Sequence, residues 1–308
     1  MSTKFRVLMV MLLCTLGGAV LGSFLQVRAL GSQDIWADMR RIFNEPNPLN
    51  ANPTNHVGDP IQGDAFHRLT KYPNKTEVSC PKQTERTMVL LISGQSNSAN
   101  HGGQRYASQY GDKIINYFDG KCYIAKSPLL GATGLEGDSW TLLGNLLIQQ
   151  GVADQVILAP TGIAGSGISQ WEVGSPYQQM LQSSAQKLLS QYRVTHMLWH
   201  QGETDYGKHT PQADYEKLFT GIADALRQQG MDAPIYVSQT SQCWMDANWR
   251  ADNPVTQAQR ALISPERKIF AGVNSDALLG ELDRFDNCHF AGTGQEKFAR
   301  AWLNLLAR

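Results

Sequence analysis

The chain has 308 residues, 42% of them hydrophobic, and its 27 basic side chains balance 27 acidic ones. A formal net charge of zero leaves no overall field to gather a polyanion, which excludes nucleic-acid binding as the main task. The length suits one large catalytic domain with extra segments better than two equal domains.

Residues 7–25 are apolar and uncharged behind Lys4 and Arg6, about the span of a bilayer core. The positive-inside rule keeps the start in the cytoplasm and sends the remainder across. Residues 1–29 are therefore expected to be a signal peptide or signal anchor. Val27-Arg28-Ala29 has the spacing of a cleavage site, but the apolar run is longer than a usual signal core, which favours an uncleaved anchor. This predicts an exported domain on the periplasmic or extracellular face, touching the membrane through residues 7–25. Residues 30–86 read as a spacer or extension, because residues 43–53 are rich in Asn and Pro and the prolines hold the backbone open. Asn74-Lys75-Thr76 within it matches a glycosylation acceptor.

From Thr87 short apolar runs alternate with longer amphipathic ones, the pattern of a parallel sheet with helices on both faces. Strands are expected at residues 88–92, 155–159, 196–199, 235–238 and 268–272. Tyr215, Leu218, Phe219, Ile222 and Leu226 repeat at helical spacing, with Thr210 as cap, Pro211 in the first turn and Gly230 as terminator. A last helix carries Phe298, Trp302, Leu305 and Leu306 on one face, with Thr293 and Glu296 spaced for a capping box. The expected domain spans residues 87–308. In such a sheet, functional groups gather on loops beyond the carboxyl ends of the strands. The polar runs 94–97, 162–171 and 200–205 fall there, and Asp286 with His289 precedes the final helix.

Setting aside Cys14, four cysteines remain: Cys80, Cys122, Cys243 and Cys288. An even number in an exported domain allows two bridges, with three connectivities. Four unpaired buried thiols are the other reading, since a chain of this size needs no staples. If bridges form, Cys243 with Cys288 is the expected pair.

A serine hydroxyl is a weak nucleophile at neutral pH and needs a base and donors for the oxyanion formed on attack. Ser96 stands where an apolar run breaks into Gly94-Gln95-Ser96-Asn97. Asp286-Asn287-Cys288-His289 supplies an imidazole and a carboxylate to orient it. The set predicts acyl transfer with Ser96 as nucleophile, His289 as base and Asp286 as its orienting acid, and activity that rises as His289 loses its proton. Glycine lets backbone approach a substrate closely, and an amide side chain is a neutral donor that does not compete for the proton. Gly162, Gly165 and Gly167 have a spacing reversed from a dinucleotide loop. His196 and His200 flank an apparent strand and lack a His-Glu-x-x-His pattern. No cofactor and no metal are expected. Trp171 and Trp199 are candidates for stacking on a sugar ring, with core packing the commoner use.

Gly94-Gln95-Ser96-Asn97, Trp199-His200-Gln201-Gly202-Glu203-Thr204-Asp205 and Asp286-Asn287-Cys288-His289 resemble, in order, the blocks of SGNH-type hydrolases. Within that group they resemble the branch of sialate O-acetylesterase-like and plant-type carbohydrate acetylesterases. The resemblance covers roughly residues 87–308. It implies a three-layer α/β/α sandwich with a central parallel sheet, flavodoxin-like in build, and the Ser96, Asp286 and His289 triad. It also implies an oxyanion hole made by the Ser96 N–H, the Gly165 N–H and the Gln201 side-chain amide. Asn97 and Glu203 are accessory candidates; Glu203 would support its loop or touch substrate, and a solvated glutamate at a loop end is the alternative. The expected reaction removes O-acetyl groups from a carbohydrate through an acyl-serine intermediate. The rivals are an O-acetyltransferase or transacylase acting on an envelope polysaccharide, and a non-catalytic glycan-binding domain.

Overall fold

The computed structural model describes residues 60–243 and 246–307. The expected anchor at residues 7–25 lies outside them, and among the described residues no helix is long and apolar enough to cross a membrane. The strands in chain order are β1 (Gln62–Gly63), β2 (Leu69–Lys71), β3 (Glu77–Val78), β4 (Thr87–Gly94), β5 (Ile114–Phe118), β6 (Lys121–Ile124), β7 (Gln155–Pro160), β8 (His196–His200), β9 (Ile235–Gln239) and β10 (Ile269–Asn274). The helices are α1 (Trp140–Gln149), α2 (Pro176–Leu189), α3 (Glu203–Gly207), α4 (Gln212–Gln228), α5 (Pro254–Ala261), α6 (Ser275–Leu278) and α7 (Gly292–Leu306).

Eight strands form one sheet in the order β10-β9-β8-β4-β7-β5-β6-β3, with β1 and β2 as a separate antiparallel ribbon. The sheet is parallel from β10 to β5, as expected. It is mixed beyond that point, because β6 and β3 add antiparallel at the edge. The turn joining β5 to β6 is Asp119-Gly120, both at positive φ (51° and 82°). Two left-handed residues twist a two-residue hairpin the way its strands already twist, so the chain reverses there instead of crossing over.

β4 is central and every one of its residues is buried, which explains its unbroken apolar run. Side chains alternate across the sheet. Val89 and Leu91 join Leu181 and Leu188 of α2, Phe219 and Leu226 of α4, and Val255 of α5. Met88, Leu90 and Ile92 join Trp140 and Leu147 of α1 with Phe298 and Trp302 of α7. Two apolar layers on opposite faces make the three-layer sandwich, and each such fully buried side chain contributes roughly 1.5–3 kcal/mol.

Three local expectations change. Residues 60–86, expected as spacer, include the sheet edge: β3 pairs with β6 and the Cys80–Cys122 disulfide fastens it there. Thr210 does not cap α4; its hydroxyl donates to Asp205 Oδ1 at 2.7 Å while Pro211 takes the cap position. The Thr293 and Glu296 capping box does not form, because α7 already begins at Gly292; Thr293 bonds the Leu282 carbonyl and Glu296 pairs with Arg300.

Candidate functional site

Gly94 ends β4 at φ +132°, where a Cβ would lie 2.0 Å from the His200 carbonyl oxygen. Glycine therefore lets β4 and β8 finish side by side, and the Gln95 N–H donates to that same carbonyl at 3.0 Å. The chain then turns into a short 3-10 helix, Ser96–Ser98. Trp140 Nε1 donates to the Ser98 carbonyl at 2.8 Å and Asn100 Nδ2 to the Leu129 carbonyl at 2.9 Å, so the turn is anchored from outside. Ser96 is only 4% exposed. Its backbone N–H and its hydroxyl donate to no group among the described residues.

The segment from Asp286 to His289 is a tight loop with Asn287 left-handed at φ 64°. His289 Nδ1 and Asp286 Oδ2 lie 2.6 Å apart. The other carboxylate oxygen, Oδ1, accepts the N–H groups of Cys288 at 3.0 Å and His289 at 2.6 Å. Partial burial raises the Asp286 carboxyl, but the hydrogen bond and charge of His289 and the two backbone donors outweigh it and hold the group below the usual carboxylate range. Two rings stack on the imidazole, His101 at 5.3 Å and Phe285 at 6.0 Å. Burial, and then the charge of His289, push His101 down to about 3, so it stays neutral at working pH.

The two ends of the chain are joined by Asn97. Its Nδ2 donates to the Cys288 carbonyl at 3.3 Å and its Oδ1 accepts the Phe290 N–H at 3.3 Å, gripping the residues on either side of His289. Asn97 Nδ2 also donates to Glu203 Oε1 at 2.9 Å. Glu203 is fully buried, which excludes the solvated alternative, and lies 3.4 Å from His200 Nε2. Burial raises its carboxyl, yet the adjacent His200 imidazole and the hydrogen bond from Asn97 prevail and hold it at about 2. The Cys243–Cys288 disulfide, the expected pair, ties the same loop to the segment after β9. Two disulfides are the mark of an oxidising compartment, extracellular or periplasmic.

Gly165 sits left-handed at φ +66° in the loop after β7. The loop is held by the Ile163 N–H on the Gly94 carbonyl at 2.9 Å and the Ala164 N–H on Thr133 Oγ1 at 2.8 Å. The Gly165 N–H donates to no acceptor among the described residues. Gln201, expected as the third oxyanion donor, is fully buried in the next loop. Its Nε2 lies 3.0 Å from the Ser166 carbonyl and 3.3 Å from Gln95 Oε1, and it also contacts the Asp205 carboxyl. Trp171 and Trp199 are fully buried and meet edge to face at 5.5 Å, so both belong to the core and offer no sugar platform. Sequence reasoning missed His101, Phe285, Arg284 and Thr133; no local pattern marks them, since each gains its role from a partner distant in the chain.

The family model described as carbohydrate esterase, sialic acid-specific acetylesterase, matches residues 86–307. Among curated proteins no sequence matches the chain. A solved structure from Arabidopsis thaliana superposes with a TM-score of 0.58 at 18% identity, over 72% of this chain and 97% of that one, which supports the fold. Axe2, an acetylxylan esterase from Geobacillus stearothermophilus, gives a TM-score of 0.46 at 12% identity over 72% and 94% of the two chains. XAC1771, a carbohydrate acetylesterase from Xanthomonas citri, gives 0.45 at 16% identity over 72% and 56%. The chain belongs to the carbohydrate esterase family of sialic acid-specific acetylesterases and is a carboxylic ester hydrolase.

Proposed function

We propose that the chain removes O-acetyl groups from a carbohydrate or glycoconjugate through an acyl-Ser96 intermediate. The observation that carries this reading is the Asp286 and His289 pair, 2.6 Å apart, on a loop held by hydrogen bonds from Asn97, the residue following Ser96. Ser96 Oγ attacks the acetyl carbon while His289 Nε2 takes its proton. The oxygen that becomes negative is received by the Ser96 and Gly165 N–H groups, which have no acceptor among the described residues. The sugar oxygen leaves with the proton from His289. Water then attacks the acyl-serine, gives a proton to His289, and acetate departs as Ser96 Oγ recovers that proton. Asp286, held ionised, fixes the tautomer and stabilises the imidazolium.

The test is acetate release by the full-length chain from acetylated sialosides, acetylated xylo-oligosaccharides and 4-nitrophenyl acetate, with Ser96→Ala beside it. The variant should lose on the order of 10⁴-fold or more in kcat. Turnover by Ser96→Ala equal to the parent ends the nucleophile assignment, and transfer of acetyl to a sugar acceptor faster than acetate release would convert the reading from hydrolase to transacylase.

A further inference from the structure

Arg284 lies two positions before Asp286 and is only 5% exposed. An arginine so deep needs compensation, and its partners are specific. Nη1 donates to the Cys288 carbonyl at 2.6 Å, and the guanidinium stands 5.2 Å from the centre of the Phe290 ring. Nη2 is 3.9 Å from Asp276 Oδ1. Asp276 in turn accepts the Ser241 hydroxyl at 2.7 Å and the Gln242 N–H at 3.1 Å, next to the cysteine that bridges to Cys288. The guanidinium also feels the charge of Glu203, the carboxylate that holds Asn97.

The Cys288 carbonyl therefore has two donors, Arg284 and Asn97, and the Phe290 N–H ends on Asn97 as well. The Cys288–His289 peptide is clamped on the side opposite the Asp286 carboxylate. Rotation of that peptide would swing the imidazole, whose ring is hydrogen-bonded to Asp286 alone among the described residues.

We propose that Arg284 is a positioning residue: it holds the Cys288 carbonyl so that His289 keeps the orientation in which it serves Ser96, with the Asp276 carboxylate 3.9 Å away offsetting the guanidinium charge. The inference rests on His289 acting as base. A misplacement of about 1 Å in such a group costs on the order of 10²-fold in rate. Lysine keeps the cation but loses the planar group that sets Nη1 on the Cys288 carbonyl beside the Phe290 ring.

The experiment compares the full-length parent with Arg284→Lys and Asp276→Asn, using 4-nitrophenyl acetate and an acetylated oligosaccharide. Rates are expressed per folded molecule from circular dichroism. Arg284→Lys should lower kcat between roughly 10- and 100-fold with KM within threefold. Asp276→Asn should lower kcat less, in the same direction. In both, the low-field proton NMR signal of the His289 Nδ1 hydrogen bond should broaden or move. A kcat for Arg284→Lys within twofold of the parent, or an unchanged low-field signal beside a lowered kcat, would overturn the proposal. His289→Ala separates this from the underlying reading: if it retains activity the base assignment fails, and if it alone is inactive only the Arg284 inference fails.

Discussion

Replacing Glu203 with glutamine tests whether a buried carboxylate, remote from solvent, underpins the site. A carboxyl whose ordinary value is 4.5 and is held at about 2 supplies about 3 kcal/mol of stability at neutral pH. Because the folded carboxyl titrates below the unfolded one, the unfolded chain takes up the proton first as pH falls. The contribution is complete above about 4.5, shrinks on acidification and is gone below about 2. Glutamine is nearly isosteric and still accepts from Asn97, so the substitution removes the charge and little else. Urea denaturation followed by tryptophan fluorescence at pH 7, 5 and 3 should show parent and variant separated by about 3 kcal/mol at pH 7, with the gap closing toward pH 3. Other carboxylates act on both proteins alike and cancel in the difference. A gap that stays constant across this range would refute the account of Glu203 as an ionised partner of His200.

Asp286→Asn should lower kcat by on the order of 10⁴-fold, read with 4-nitrophenyl acetate. Since Asp286 is held below the usual carboxylate range by His289 and two backbone donors, it stays ionised at pH 5, and the acid side of log kcat/KM in the parent should fall with unit slope. Gly94→Ala forces a Cβ to 2.0 Å from the His200 oxygen at a left-handed φ, and should cost roughly 3 kcal/mol or more in a denaturant titration. Replacing Cys243 and Cys288 together by serine opens a loop of sequence separation 45 and should lower stability by about 4 kcal/mol, with a parallel loss of kcat as the His289 loop loosens.

Features set by local physical signals were legible in the sequence, and features set by distant partners were not. β4 was legible because a central parallel strand is buried on both faces and must be apolar throughout. Helix α4 was legible in its periodicity and its stop at Gly230, but Thr210 turned to Asp205, since a hydroxyl follows the strongest acceptor that folding brings near it. The β5 to β6 hairpin carried an Asp-Gly signal, yet its strands are short and only their docking beside β7 shows that they extend the sheet.

By itself the sequence determined the apolar strands that end in small polar turns, the serine at the first of them, and an acid and imidazole spaced to meet within one loop. Those are local properties, set by burial periodicity and by the reach of a few residues. Only the tertiary structure decided that Asn97 grips the loop 191 positions away, that Gln201 packs against Asp205, that Arg284 reaches the Cys288 carbonyl and that His101 stacks on His289. A hydrogen bond across that separation depends on how the layers pack, because each polar side chain takes the partner that burial leaves within its reach.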